Sequence, residues 1–228
     1  IARVPEKKSL WTRSECPQCH VQIYALQNIP LLSYLLLRAR CKNCSDPISV
    51  IYPAIEISMA LLFIFPGIIF TKWEPAIIWI VFSICALPLT FIDVKLHRLP
   101  DALTASLFTS GVLAIAGISI FGHNHTRIIP ALIGAFALSG FYLAVGIISR
   151  GGMGMGDVKL AGSIGLLSGY FGLQAVLVSS FAAFLIGALV GIVMMIFGSA
   201  GRKTAIPFGP FMILGQYISL LAIAFKFL

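Results

Sequence analysis

Apolar positions fall into seven long runs along this chain, roughly 51–71, 74–92, 101–121, 128–148, 158–170, 172–198 and 206–227, with the fifth short and the sixth long. A helix needs about 20 mostly apolar residues to cross a bilayer, so the pattern predicts an all-α polytopic membrane protein with about seven spans. The first 50 residues break it. They hold no continuous apolar run of 18 residues, yet carry seven of the sixteen Lys and Arg and four of the five cysteines. They predict a water-facing segment, residues 1–50, ahead of a membrane domain, residues 51–228.

Composition sharpens the class. Of 228 residues, 59% are hydrophobic and 11% charged, with a mean hydropathy of +0.99, far from an ordinary soluble domain. Charge then gives the orientation, because Lys and Arg accumulate in cytoplasmic loops. Alternating the runs puts Arg3, Lys7, Lys8, Arg13, Arg38, Arg40, Lys42, Lys95, Arg98, Arg150, Lys159, Arg202 and Lys203 on one side, and only Lys72, Arg127 and Lys226 on the other. The cysteine segment is therefore expected in the cytoplasm. The net charge of +8 reads as a topology signal, and no nucleic-acid partner is expected. The chain starts at Ile1, and "IARVP" reads as the exit of an upstream segment.

The eight acids sort individually. Glu6, Glu15 and Asp46 lie in the first segment, and Glu74 lies in a short outer loop beside Lys72 and Trp73. Glu56 reads as a first-turn acid suited to a helix N-terminus or as a substrate contact. Asp101, after Pro100 in "LPDALTASLF", reads as a helix N-cap. Asp93 closes one apolar run in "FIDVKLHRLPD", and Asp157 opens another after "RGGMGMG". Both fall at cytoplasmic ends, so they could meet. Ionisable groups at membrane depth are costly and are functional candidates by default. Two adjacent carboxylates do not easily both ionise, which suits a pair acting as general base and general acid. Gly151, Gly152, Gly154 and Gly156 would allow positive φ and close backbone approach, letting an extended substrate lie beside Asp157, and they also remove side-chain bulk. The competing reading makes Asp157 a cap of the following helix.

The cysteines form two knuckles, "CPQC" (Cys16, Cys19) and "CKNC" (Cys41, Cys44), separated by 21 residues. This spacing fits a zinc-ribbon-like site with four thiolate ligands, and a cytoplasmic location disfavours disulfides. The competing reading is two redox pairs or free thiols. His20 is an alternative ligand, and Cys85, alone in an apolar run, reads as core.

Taken together, "CPQC", "NIPLLSYLLLRARCKNC", "ISVIYPAIE", "FIDVKLHRLPD", "GMGDVKLAG" and "PFGPF" resemble the type IV prepilin peptidases, membrane aspartyl proteases of the GxGD class. The resemblance covers nearly the whole chain. It implies eight spans in the full protein and a bacterial inner-membrane location. It also implies an endopeptidase that removes a basic leader from prepilins or pseudopilins after a glycine, at the cytoplasmic face, with Asp93 and Asp157 as the catalytic pair. Methylation of the new N-terminus from S-adenosylmethionine is implied as well, although no nucleotide-binding motif for that cofactor is visible. Two positions depart from the pattern: Ile51 stands where many relatives have arginine, and Ala39 where many have glycine. Both lie near the segment linked to methylation. Rival classes are a proton-coupled transporter using Asp93 and Asp157 as a relay, and a non-catalytic assembly protein docking through its cysteine segment.

Overall fold

A computed structural model describes residues 15–16, 18–24, 29–123, 125–149, 152–197 and 206–225. "IARVP", the cations Arg3, Lys7, Lys8, Arg13, Arg150, Arg202, Lys203 and Lys226, and also Glu6, Pro17 and Gly151 lie outside the described residues. The helices are α1 (Leu32–Leu36), α2 (Ile51–Ile69), α3 (Trp73–Leu96), α4 (Asp101–Phe121), α5 (Ile128–Ile148), α6 (Met155–Gly169), α7 (Leu173–Ile196) and α8 (Gly209–Ala224). No strand occurs among the described residues, only two isolated bridges. The chain divides into two compact units, and the break, between Phe65 and Pro66, falls inside α2.

Within the described residues five helices are long and apolar enough to cross a membrane: α2, α3, α4, the stretch His125–Ile148 containing α5, and α7. The protein is thus a multi-pass membrane protein. The two remaining apolar runs form shorter helices, α6 with 15 residues and α8 with 16. At about 1.5 Å per residue, α6 is shorter than the roughly 30 Å hydrocarbon layer. Packing explains how it is accommodated, since α6 lies against α4, α5, α7 and α8, and Val158 and every residue from Leu160 to Gly169 are buried.

Helices in lipid lack a strong hydrophobic drive to associate, so close backbone contact between small residues does that work. On α6, a Cβ at Gly165 would collide with the Gly134 carbonyl of α5, and one at Gly169 would lie 2.6 Å from the Pro130 carbonyl oxygen. The α7–α8 pair repeats the device. Gly215 packs on the Ser179 carbonyl, and the Ser219 hydroxyl donates to the Ala175 carbonyl at 2.8 Å. On α3, Ser83 hydrogen-bonds Tyr217 of α8 at 2.8 Å, beneath a Trp79–Tyr217 ring contact with centroids 4.6 Å apart. Cys85 is buried in α3, as a core residue should be. One turn needs glycine itself: Gly172 starts α7 at φ 122°.

Two helix-end expectations are corrected. Glu56 sits in the second turn of α2, not the first, and its carboxylate accepts the Leu31 N–H at 2.8 Å. Glu74 belongs to the first turn of α3 and has one buried carboxylate oxygen, so it is no ordinary loop residue.

Candidate active site and metal centre

The two cysteine knuckles are folded alike. In the first, the Cys16 N–H donates to the Val21 carbonyl at 3.0 Å and the His20 N–H to the Cys16 carbonyl at 3.0 Å; in the second, Cys41 bonds Asp46 at 2.8 Å and Ser45 bonds Cys41 at 2.9 Å. Both loops turn through a residue of positive φ at the same place, His20 at 54° and Ser45 at 60°. His20 therefore fills a turn position matched by a serine, and the group that could hold a metal ion is the four thiols. Their sulfurs all lie within 4.8 Å of one another, with Cys16 Sγ and Cys44 Sγ 3.8 Å apart. Four sulfurs arranged tetrahedrally about an ion at a Zn–S distance of about 2.3 Å stand about 3.8 Å apart, so the cluster fits a metal ion. Backbone N–H groups of Cys44 and Asn43 pull the Cys41 thiol down to about 6, while desolvation and the neighbouring thiols push Cys44 up to about 12, so one thiol sits near its thiolate form and its neighbour keeps its proton.

Ala39 also finds its explanation in this segment. It holds φ 58°, a conformation in which a Cβ costs about 1–2 kcal/mol and glycine nothing. The departure at this position is therefore a departure in backbone strain. Ile51, the other one, opens α2 with an exposed side chain.

In the helical unit, Asp93 opens the last turn of α3 and is 4% exposed. Its Oδ2 accepts the Gly209 N–H at 3.0 Å, from the first residue of α8 in "PFGPF". A Cβ at Gly209 would approach that oxygen to 2.7 Å, so the contact needs glycine. The helix ends where His97 turns left-handed at φ 50° and its N–H returns to the Asp93 carbonyl at 2.8 Å.

Asp157 is the third residue of α6. The N-cap is Gly154, and the Asp157 carboxylate reaches back to accept the Gly154 N–H at 3.2 Å. Capping and proximity to Asp93 are compatible, since Asp157 lies within electrostatic reach of both Asp93 and Tyr142. The Tyr142 ring is buried against Phe184 and Phe208, with centroids 5.4 and 6.1 Å away.

Of the roles the sequence suggested for the glycines before Asp157, the described ones lack the positive φ but do supply the expected freedom from side-chain bulk. Among the described residues only Gly172 is a glycine of positive φ, so Gly152, Gly154 and Gly156 are there for space. A Cβ at Gly156 would come within 2.9 Å of Leu99 Cβ, and one at Gly152 within 2.9 Å of Ser149 Cβ. Asp101 is not an N-cap either. Pro100 holds that position, and Asp101, now in the first turn of α4, accepts Lys159 Nζ of α6 at 2.6 Å. Leu99, Gly209, Tyr142 and the Asp101–Lys159 pair were not singled out individually in the sequence. "PFGPF" and "LPD" were legible as motifs, but their contacts cross elements.

The N-terminal residues 1–70 match the family described as "Bacterial Peptidase A24 N-terminal domain", and residues 80–192 match the "Type IV leader peptidase family". The chain is similar to a protein of Aeromonas hydrophila named prepilin leader peptidase/N-methyltransferase, 36% identical over 92% of this chain and 71% of the relative. Proteins of that name from Stutzerimonas stutzeri and Neisseria gonorrhoeae are 33% and 34% identical, over 91% and 89% of this chain and 71% and 68% of their own lengths. No solved structure matches the chain. Motif order, helical architecture and identity along nine-tenths of the sequence agree: the chain belongs to the type IV leader peptidase family.

Proposed function

We propose that this protein cleaves the basic leader peptide from type IV prepilins or pseudopilins, after a glycine, at the cytoplasmic face of a bacterial inner membrane. Asp93 and Asp157 are the reacting pair. One carboxylate removes a proton from water as its oxygen bonds to the scissile carbonyl carbon. The other delivers a proton to the departing amine as the C–N bond breaks. Such paired carboxylates divide base and acid roles because close neighbours do not readily both ionise. The observation that carries this reading is that two acids on different helices each accept a glycine N–H, and that Leu99 packs against both Gly156, next to Asp157, and Gly209, the partner of Asp93. Thirteen of the sixteen Lys and Arg fall on one side in the alternating topology, which supports placing this end, and the cysteine segment, in the cytoplasm.

The same protein methylates the new N-terminus, as the names of its relatives suggest. Residues 51–228 carry the protease, and residues 1–50 support the methylation. Cys16, Cys19, Cys41 and Cys44 hold a structural zinc, whose bound form supplies folding energy to a segment with little core. The described residues do not identify a seat for S-adenosylmethionine. The remaining partners are membrane lipid and the substrate's apolar portion.

The test is cleavage of a synthetic prepilin leader peptide by purified protein. Asp93→Asn and Asp157→Asn should each stay folded and lose at least about 10³-fold in kcat, since the acid and base roles each contribute about 10²–10⁴-fold. Near-parental turnover by either variant would sink the pair.

A further inference from the structure

Between the two candidate catalytic acids runs a short connection, residues 97–101, whose side chains hold both sides of the site. Leu99 is 9% exposed and its two methyl groups face opposite glycines. A Cβ at Gly156 would lie 2.9 Å from Leu99 Cβ and 3.5 Å from its Cδ1; one at Gly209 would lie 3.2 Å from its Cδ2. These glycines are not incidental neighbours. Gly156 immediately precedes Asp157, and Gly209 supplies the N–H that Asp93 accepts. Two residues after Leu99, Asp101 grips Lys159 at 2.6 Å, and Lys159 lies two residues beyond Asp157 on α6. The other end of the connection is anchored at Asp93 itself, through the His97 N–H.

We propose that Leu99 is a positioning residue: a wedge that sets the gap between Asp93 and Asp157, held in place by the Asp101–Lys159 pair. Both glycines lack the Cβ that would displace the wedge, so its two methyl groups rest on backbone at each side. Close-packed contacts of this kind transmit displacement rather than absorb it. The ion pair is half to three-quarters exposed and adds little to overall stability. Its contribution is direction, because it stops the start of α6 from sliding along α4. Leu99 is apolar and can neither give nor take a proton, so it acts through position alone. The proposal rests on Asp93 and Asp157 being the reacting pair.

The experiment measures kcat and KM separately on a synthetic prepilin leader peptide, per unit of monodisperse purified protein. A displacement near 1 Å costs about 10²-fold in rate, so Leu99→Ala should lower kcat by about 10- to 100-fold while KM stays within about twofold. Leu99→Met, which conserves volume, should recover most of that loss. Lys159→Gln should lower kcat by a smaller factor, and exchanging the charges (Asp101→Lys with Lys159→Asp) should restore it. A folded Leu99→Ala protein with parental kcat, or a loss confined to KM, would overturn the proposal. If Leu99→Ala does not fold, parental kcat in Lys159→Gln overturns it equally. Asp93→Asn and Asp157→Asn in the same assay keep the two questions apart. If they are active, the reacting pair is wrong; if they are dead while the Leu99 and Lys159 variants are unaffected, only the wedge is wrong.

Discussion

The cysteine segment and the helical unit are stabilised by opposite means. From residue 15 to residue 50, Cys16 is the one buried residue among those described, whereas α6 is buried along nearly its whole length. One region converges on four sulfurs within 4.8 Å of one another. The other is held by backbone pressed against backbone at Gly134, Gly165, Gly169 and Gly215. Disrupting the cysteine cluster is therefore expected to leave the helices folded, and a methyl group added between helices is expected to leave the cluster intact.

The largest expected effect breaks the comparison at the metal. Cys16→Ser with Cys19→Ser should abolish stoichiometric zinc and unfold the cysteine segment, because metal binding in small zinc domains supplies on the order of 10 kcal/mol of folding energy. Elemental analysis and limited proteolysis check it, with cuts expected inside residues 1–50 and not within α2 to α8. Substoichiometric zinc in parental protein purified without chelators would contradict the metal assignment.

A smaller effect is expected from the other side. Gly165→Leu must push α5 from α6 where a Cβ would already meet the Gly134 carbonyl, and overpacking of this kind costs about 1–3 kcal/mol or more. Thermal unfolding in detergent should shift down while zinc content stays at the parental value. Loss of zinc in parallel would show that the two regions are not independent.

The smallest effect sharpens the contrast. Ala39→Gly should stabilise the cysteine segment by about 0.5–1 kcal/mol: it removes the left-handed Cβ penalty of about 1–2 kcal/mol but adds freedom to the unfolded chain. The change should appear as slower zinc loss to a chelator, with the melting of the helices unaltered.

How much of this was legible in the sequence follows from the range of the interactions involved. Runs of apolar residues are local, so 101–121 and 128–148 reproduced α4 and α5 to the residue. The knuckles were legible because ligand spacing within each loop is also local. Helix ends were less so: Pro100 took the cap expected of Asp101, and Gly154 preceded Asp157 as the cap of α6. These outcomes depend on the partner each acid finds, Lys159 in one case and a backward-facing N–H in the other. The wedge of Leu99 between Gly156 and Gly209 was out of reach, because it joins three segments that only the fold brings together. The sequence marked Gly156 as a place without side-chain bulk, but not that the space is filled by Leu99.

Product masses from one prepilin peptide test the central claim most directly, namely that cleavage resides in the helices and methylation depends on the cysteine segment. With S-adenosylmethionine present, parental protein should release a leader and a methylated product, and Asp157→Asn neither. The double-serine variant Cys16→Ser, Cys19→Ser should release the leader and leave the new N-terminus unmethylated. A methylated product from that variant, or cleavage lost in step with methylation, would contradict the account.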